Sequence, residues 1–304
     1  MVRPLRFRCN EQTAVNNFFQ HEGNAAAEKL QQMALNEFDD FVEKLRRANI
    51  RVIVAEDTIE ADTPDSIFPN NWVSFHQDGT IALYPMYAEN RRKERRKGIL
   101  DLLEKQGVES NKIVDFTHHE SEAQFLEGTG SMVLDRVNRV AYAAISERTH
   151  PEVLNDFCNQ FGYRSVIFHS NQTFESQRLP VYHTNVMMAM GDKFCVICLD
   201  SIDDAAERKE VILSLAAAQK EVIEITEEQQ NHFAGNMLQV ADDQGRKVMV
   251  MSLAAHGSLR SDQVDRLMKY NEKFVFSPLD TIERLGGGSA RCMIAEVFLP
   301  KKKD

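Results

Sequence analysis

Four stretches of this chain read as the same unit, and that repetition restricts the fold more than any other feature. In each, two strand-like runs flank a tight turn, a helical run follows, and a short strand closes the unit. The first pairs Trp72–His76 with Ile81–Pro85, continues as a helix over 89–106 ended by Gly107, and closes on Lys112–Phe116. The second pairs Ser131–Asp135 with Val140–Ile145. Its helix starts at Pro151, a favoured first-turn residue, and stops at Gly162 before Arg164–His169. The third has Val186–Met190, Lys193–Leu199, a helix over 203–219 and Glu221–Ile225; the fourth has Met237–Ala241, Lys247–Ser252, a helix over 258–270 and Lys273–Ser277. A fifth unit is divided between the chain ends. Arg291–Leu299 supplies strand, and a helix over 25–47, with Leu30, Met33, Ala34, Phe38, Phe41 and Leu45 on one face, leads into Arg51–Ala55. Five such units predict a five-bladed, pseudo-fivefold α/β propeller occupying residues 1–304 as a single domain. Closing the ring between first and last segments removes exposed strand edges, which an open α/β sheet would leave.

The short loop entering each unit carries the unusual residues. Asn71, Glu127, His183, Asn236 and Cys292 recur at intervals of 56, 56, 53 and 56 residues. Equivalent positions in a cyclic repeat lie at equal distance from the axis, so these side chains converge at one end of the channel. The set is chemically coherent. A thiolate is a strong nucleophile that a neighbouring histidine can favour, the histidine can move protons, and a carboxylate can hold the imidazole in one orientation. Gly286, Gly287 and Gly288 before Cys292 let the backbone approach a ligand closely.

The 304 residues, 43% of them hydrophobic, suffice for a large core, with disorder expected at the ends, notably over 301–304. A net charge of −10 suits a small cationic or neutral partner and does not attract nucleic acid or an anionic membrane. Three arginines stand among the first ten residues without an apolar run behind them, unlike a secretory leader, and the longest apolar runs are strand-length. Five cysteines, an odd number, suit thiols in a reducing compartment and point to the cytoplasm. A homo-oligomer is compatible with all of this.

Other conspicuous residues have plainer readings. Cys9, Cys158, Cys195 and Cys198 read as small hydrophobes, and Cys195-x-x-Cys198 lies on a strand where residues three apart face opposite ways, so neither a metal nor a cofactor is expected. His76, His118, His119, His150, His169, His232 and His256 read as structural or exposed. The basic run from Arg91 to Lys97 reads as a solvated helix face.

Gly286-Gly287-Gly288-Ser289-Ala290-Arg291-Cys292-Met293 resembles the nucleophile motif of arginine deiminases and amidinotransferases, the guanidine-modifying branch of the pentein fold. Phe125-Leu126-Glu127-Gly128-Thr129-Gly130 resembles that family's Glu-Gly-Gly-Asp segment, His183-Thr184-Asn185 its His-x-Asp, and Phe68-Pro69-Asn70-Asn71 its Phe-x-x-Asp. The whole chain is similar to the subgroup of citrulline-utilisation hydrolases, through Arg3-Pro4, Thr63-Pro64-Asp65, Phe233-Ala234-Gly235-Asn236-Met237 and Phe298-Leu299-Pro300. The resemblance implies a covalent adduct on Cys292, acid/base work by His183, orientation by Glu127 and no metal. Asn71, Asn185, Asp65 and Asn236 are then candidate substrate contacts, with Arg178 a candidate for the substrate's carboxylate. Where many relatives carry Asp, this chain has Asn71, Asn185 and Gly130, which removes the acids that clamp a guanidinium.

The expected activity is therefore Cys-dependent hydrolysis of a ureido or guanidino carbon–nitrogen bond. Citrulline is the favoured substrate, giving ornithine, ammonia and carbon dioxide. The rival activities are an arginine deiminase or an amidinotransferase on an arginine-type substrate. A non-catalytic pentein such as a ribosome-binding factor would not need Cys, His and Glu in register, and −10 charges fit a ribosome poorly.

Overall fold

The computed structural model describes residues 1–21 and 26–302, so Ala25 of the expected first helix and the last two residues of the tail lie outside the described residues. Alternating apolar runs and turn residues give four three-stranded sheets. Each joins an antiparallel hairpin to a parallel third strand that arrives after a helix. The first contains Val73–Phe75, Thr80–Leu83 and Lys112–Asp115. The second contains Val133–Asp135, Val140–Ala144 and Arg164–Phe168. Met188–Met190, Phe194–Ile197 and Glu221–Glu224 form the third, and Leu238–Ala241, Lys247–Ser252 and Lys273–Ser277 the fourth. The central strand of each is buried from both sides, as its run of Ile, Val, Ala and Met residues requires.

The connecting helices follow the expected order. Ala27–Arg47 buries Leu30, Ala34, Phe38, Phe41 and Leu45, while Met33 stays exposed. Pro151–Phe161 starts at its proline and ends on Gly162 in the left-handed region at φ 66°. Ala205–Ala217 is capped by the Asp204 carboxylate, which accepts from the amides of residues 206 and 207. One expected helix is broken. The first-unit helix divides into Glu89–Arg92 and Lys97–Lys105, because the side chains of Arg91 and Glu94 turn inward. The fourth-unit helix, expected over 258–270, spans Ser261–Met268, and a short helix, Leu253–Ser258, precedes it. A polar hairpin, Asn171–Phe174 with Gln177–Pro180, was not expected from the sequence.

The chain ends depart most from expectation. Arg291–Leu299 forms no strand. The amides of Cys292 and Met293 return to the Ser289 carbonyl, and that of Ile294 to Arg291, so they are committed to a turn. Among the described residues, 51–55 and 291–299 share no ladder, and Val2–Arg3 pairs in parallel with Ala55–Glu56 instead. The tail is ordered further than expected: Lys301 bridges Val108, and the Lys302 amide donates to the Gly107 carbonyl at 3.0 Å. The first strands of all four sheets, with residues 294–299, line one cavity of about 620 Å³. Five segments thus line one cavity. No helix among the described residues is long and apolar enough to cross a membrane.

Candidate active site

Short helical turns, rather than open loops, precede the first strands. Pro69–Asn71, Gly128–Ser131 and Thr184–Met187 each make about one turn, and the middle one packs against the other two. Glu127 and His183 each stand immediately before such a turn, which is how the 56-residue repeat becomes spatial convergence. Gly128 has φ 47°, and an added Cβ would lie 2.4 Å from the Asn70 carbonyl oxygen, so this approach requires glycine.

Glu127 and His183 meet. His183 Nε2 lies 2.8 Å from Glu127 Oε2, with both residues buried. The other carboxylate oxygen accepts the Tyr87 amide at 3.0 Å. Burial alone would push the Glu127 carboxyl up, but Arg148, His183 and Arg91 outweigh it and hold it at about 2. Burial lowers His183 to about 4, an effect that Glu127 only partly offsets. At neutral pH the pair is therefore carboxylate and neutral imidazole. An ionised Glu127 can only accept, so Nε2 carries the proton and Nδ1 is left as the basic atom.

Cys292 has different partners. Asn236 Nδ2 donates to its sulfur at 3.2 Å and Asn185 Nδ2 at 3.4 Å. Asn236 is itself fixed, donating to the Asn185 carbonyl at 2.9 Å and accepting the Arg291 amide at 3.1 Å. Among the described residues no hydrogen bond joins Cys292 to His183, so the imidazole does not hold the resting thiol directly. Each member of the sequence-derived triad is present, as a Glu–His pair and, separately, a thiol cradled by amides.

Asn71 sits beside the base. A Cβ at Gly130 would fall 2.4 Å from Asn71 Nδ2 and 2.8 Å from His183 Nδ1, so any side chain at 130 would displace both. The Asn71 Oδ1 accepts from Arg91 Nη1 at 2.9 Å, which fixes the amide's orientation and leaves its buried Nδ2 without a partner. Asn185 has the complementary vacancy, a buried Oδ1 with no partner. Asn70 turns aside to Thr129. Asp65 is buried, with Oδ2 accepting from Asn10 at 2.7 Å and Thr13 at 3.2 Å and Oδ1 unpartnered; burial pushes its carboxyl up despite Arg91 nearby.

Two buried arginines beside Glu127 escaped the sequence reading. Arg91 and Arg148 are each only 2% exposed, and their Nη1 atoms lie 3.9 and 3.7 Å from Glu127 Oε2. Arg91 forks onto Glu94 at 2.8 and 3.0 Å. Arg148 lies over the Tyr182 ring at 4.9 Å and donates to the Thr13 carbonyl at 2.9 Å. The basic run is thus not wholly a solvated face. An acid three residues after Arg91, within a stretch that lacks helical apolar spacing, was the available signal. Arg178, by contrast, lies on the exposed hairpin, paired with Asp203 and Glu227. It does not join the site.

The N-terminal segment covers this constellation. Asn17 and Gln20 donate to the Gly286 carbonyl at 3.4 and 3.2 Å, and Tyr182 donates to that of Gly287. Among the described residues, the ligand atoms of His118, His119 and Asp156 come within 4.8 Å of one another, away from the residues above; His119 Nε2 already bonds Asp156 at 2.8 Å.

Comparison with solved structures finds the same fold. The apo arginine dihydrolase ArgZ from the ornithine–ammonia cycle in cyanobacteria superposes with a TM-score of 0.74 at 15% identity, over 99% of this chain and 40% of that one. This chain therefore spans about 40% of that dihydrolase. The N-terminal domain of ArgZ bound to product gives 0.71 at 16% identity, over 99% and 98% of the two chains. A dimethylarginine dimethylaminohydrolase carrying an S-methyl-L-thiocitrulline adduct gives 0.63 at 15%, over 96% of each. No curated protein sequence matches. The mixed α/β architecture is that of the arginine deiminase/amidinotransferase pentein superfamily. Within it, residues 3–299 match the family described as N,N-dimethylarginine dimethylhydrolase, eukaryotic, and the chain belongs to that family. That family's description names a hydrolase.

Proposed function

We propose that Cys292, His183 and Glu127 hydrolyse the ureido group of an amino acid, with citrulline preferred. The observation that carries this reading is the pair of unsatisfied amide atoms, Asn71 Nδ2 and Asn185 Oδ1. One is a donor and the other an acceptor, both neutral. A ureido group offers a carbonyl to the first and an N–H to the second without stranding a charge. A guanidinium is cationic and needs an anion when buried, yet Glu127 is already engaged by His183 and two arginines.

In the reaction, His183 Nδ1 takes the Cys292 proton as the sulfur attacks the ureido carbon. The imidazolium, balanced by Glu127, passes that proton to the leaving nitrogen, and ornithine departs. Water then attacks the S-carbamoyl group, giving one proton to His183. The sulfur leaves and takes the proton back, and the released carbamate decomposes to ammonia and carbon dioxide. The amides of Asn185 and Asn236 support the charge on sulfur in both halves. Arg91 and Arg148 are the buried cations suited to the substrate's carboxylate, and the open Asp65 oxygen suits its ammonium.

The same reading places the site at one mouth of a five-unit ring made by one domain, with residues 294–299 standing as the innermost segment of the fifth unit. The cavity shared by five segments supports it. The buried thiols of Cys158, Cys195, Cys198 and Cys292 suit the cytoplasm. A panel of citrulline, arginine, agmatine and methylated arginines, scored for ammonia and amino-acid product, tests the substrate. The kcat/KM for citrulline should exceed that for arginine by about a hundredfold, the scale of one to two mispaired buried polar contacts. Equal or better use of arginine overturns the neutral-substrate reading.

A further inference from the structure

We propose that Glu283 is a positioning residue that pins the Cys292 turn to the helix Asp280–Gly286 through the Ser289 hydroxyl. The inference rests on Cys292 being the nucleophile. Glu283 lies in the helix Asp280–Gly286 and is 6% exposed. Its Oε1 accepts from Ser289 Oγ at 2.5 Å. The Ser289 carbonyl in turn accepts the amides of Cys292 at 3.0 Å and Met293 at 3.3 Å. One residue thus links the carboxyl to the turn that carries the sulfur.

The other end of the link is the helix itself. The Glu283 carbonyl holds the Gly287 amide at 2.9 Å, where the glycine run begins in the left-handed region. This buried carboxyl has no role in the chemistry above, yet it joins the helix and the nucleophile turn at one point. Cys292 meets its Asn185 and Asn236 partners only while that turn holds its place.

Burial pushes its carboxyl up to about 7, and Asp280 and Glu37 add to the rise while Ser252 and Ser289 oppose it. The pin therefore loses its proton near neutrality and bonds the Ser289 hydroxyl most strongly above that point.

The test is the alkylation rate of Cys292 by iodoacetamide, with the site located by mass spectrometry and the pH varied from 6 to 9, alongside thermal melting. Ser289→Ala keeps the carbonyl and removes only the pin, and should slow alkylation by about tenfold with the melting curve preserved. Glu283→Ala should do the same. Glu283→Gln still accepts one hydroxyl and should react within about threefold of the wild type, with a flatter pH profile near 7. Wild-type rates in both alanine variants overturn the inference, as does a glutamine variant as slow as alanine. A wild-type Cys292 that does not alkylate overturns the nucleophile assignment and this inference with it.

Discussion

The two halves of the site are built from opposite materials. Around His183 lie buried charges: Glu127, Arg148, Arg91, Glu94 and Asp65, within hydrogen-bond or ion-pair reach of one another. Around Cys292 lie neutral amides, Asn185 and Asn236, and a glycine run whose Gly286 carbonyl accepts from the side-chain amides of Asn17 and Gln20. The charged half fixes protonation states, because each ion is surrounded by others and by little water. The amide half fixes geometry without adding charge, so the sulfur's charge can change during turnover at small cost. Such a division suits a reaction in which one side moves protons and the other holds a neutral carbon.

The largest expected effect tests the amide half at its centre. Cys292→Ala removes the covalent route and should lower kcat at least about ten-thousandfold while the fold persists. Retention of more than about a hundredth of the rate would place the nucleophile elsewhere.

The charged half should fail differently. Arg91→Ala leaves Glu94 and Asp65 buried without their cation, and should cost about 3–5 kcal/mol of stability, measured by denaturant unfolding. A loss below about 1 kcal/mol would mean that the network is solvated in solution. The same half sets the response to acid. His183 stands at about 4 against its ordinary 6.5, and Glu127 at about 2 against 4.5. Both groups bind fewer protons folded than unfolded between those values, so both contributions to stability are lost as pH falls from about 6.5 toward 2. Activity needs the neutral imidazole, so kcat/KM should decline about tenfold per unit below pH 4. An acid limb centred near 6.5 would show that His183 is not depressed by its surroundings.

The chain's order was readable where a residue type is rare and its spacing repeats. Cys292, His183 and Glu127 stand out because each falls at the entrance to a repeated unit, and the structure brings Glu127 and His183 into contact there. The arginines were hidden for a physical reason. Arg91 lies in Arg91-Arg92-Lys93-Glu94-Arg95-Arg96-Lys97, and composition does not tell which cation turns inward. That depends on acids from distant segments, Asp65 and Glu127. Arg148 follows a strand end and is buried by residues 13–16, a contact across 132 positions that no local pattern announces. The turn at Cys292 was misread as strand because its apolar composition suits both, and only the Ser289 carbonyl decides between them.

A smaller effect probes the boundary between the halves. Asn71→Asp with Asn185→Asp places two acids where the ureido group would need a donor and an acceptor. Citrulline turnover should fall by about ten- to a hundredfold, at about 1 kcal/mol per mispaired group, while arginine binding improves. Competition assays with both amino acids read the switch. Improved citrulline use in the double variant would remove the amide pair from substrate recognition.

The smallest effect contrasts two arginines that the sequence alone does not rank. Arg178 precedes His183 by five residues, which makes it an attractive partner for a substrate carboxylate. In the structure its guanidinium lies on the outer hairpin, about a third exposed, and is already taken by Asp203 and Glu227. Exposed ion pairs contribute about 0–1 kcal/mol, since solvent screens them and ordering long side chains costs entropy. Arg178→Ala should therefore leave kcat and KM within about twofold of the wild type and lower stability by less than about 1 kcal/mol. Arg148 is buried against Glu127 and Tyr182, where no water competes for it. The conservative Arg148→Lys keeps the charge but loses the fork, and should raise KM by about tenfold or more with a smaller change in kcat. Should Arg178→Ala raise KM while Arg148→Lys does not, the carboxylate would sit at the hairpin, and the charged half would serve only the imidazole.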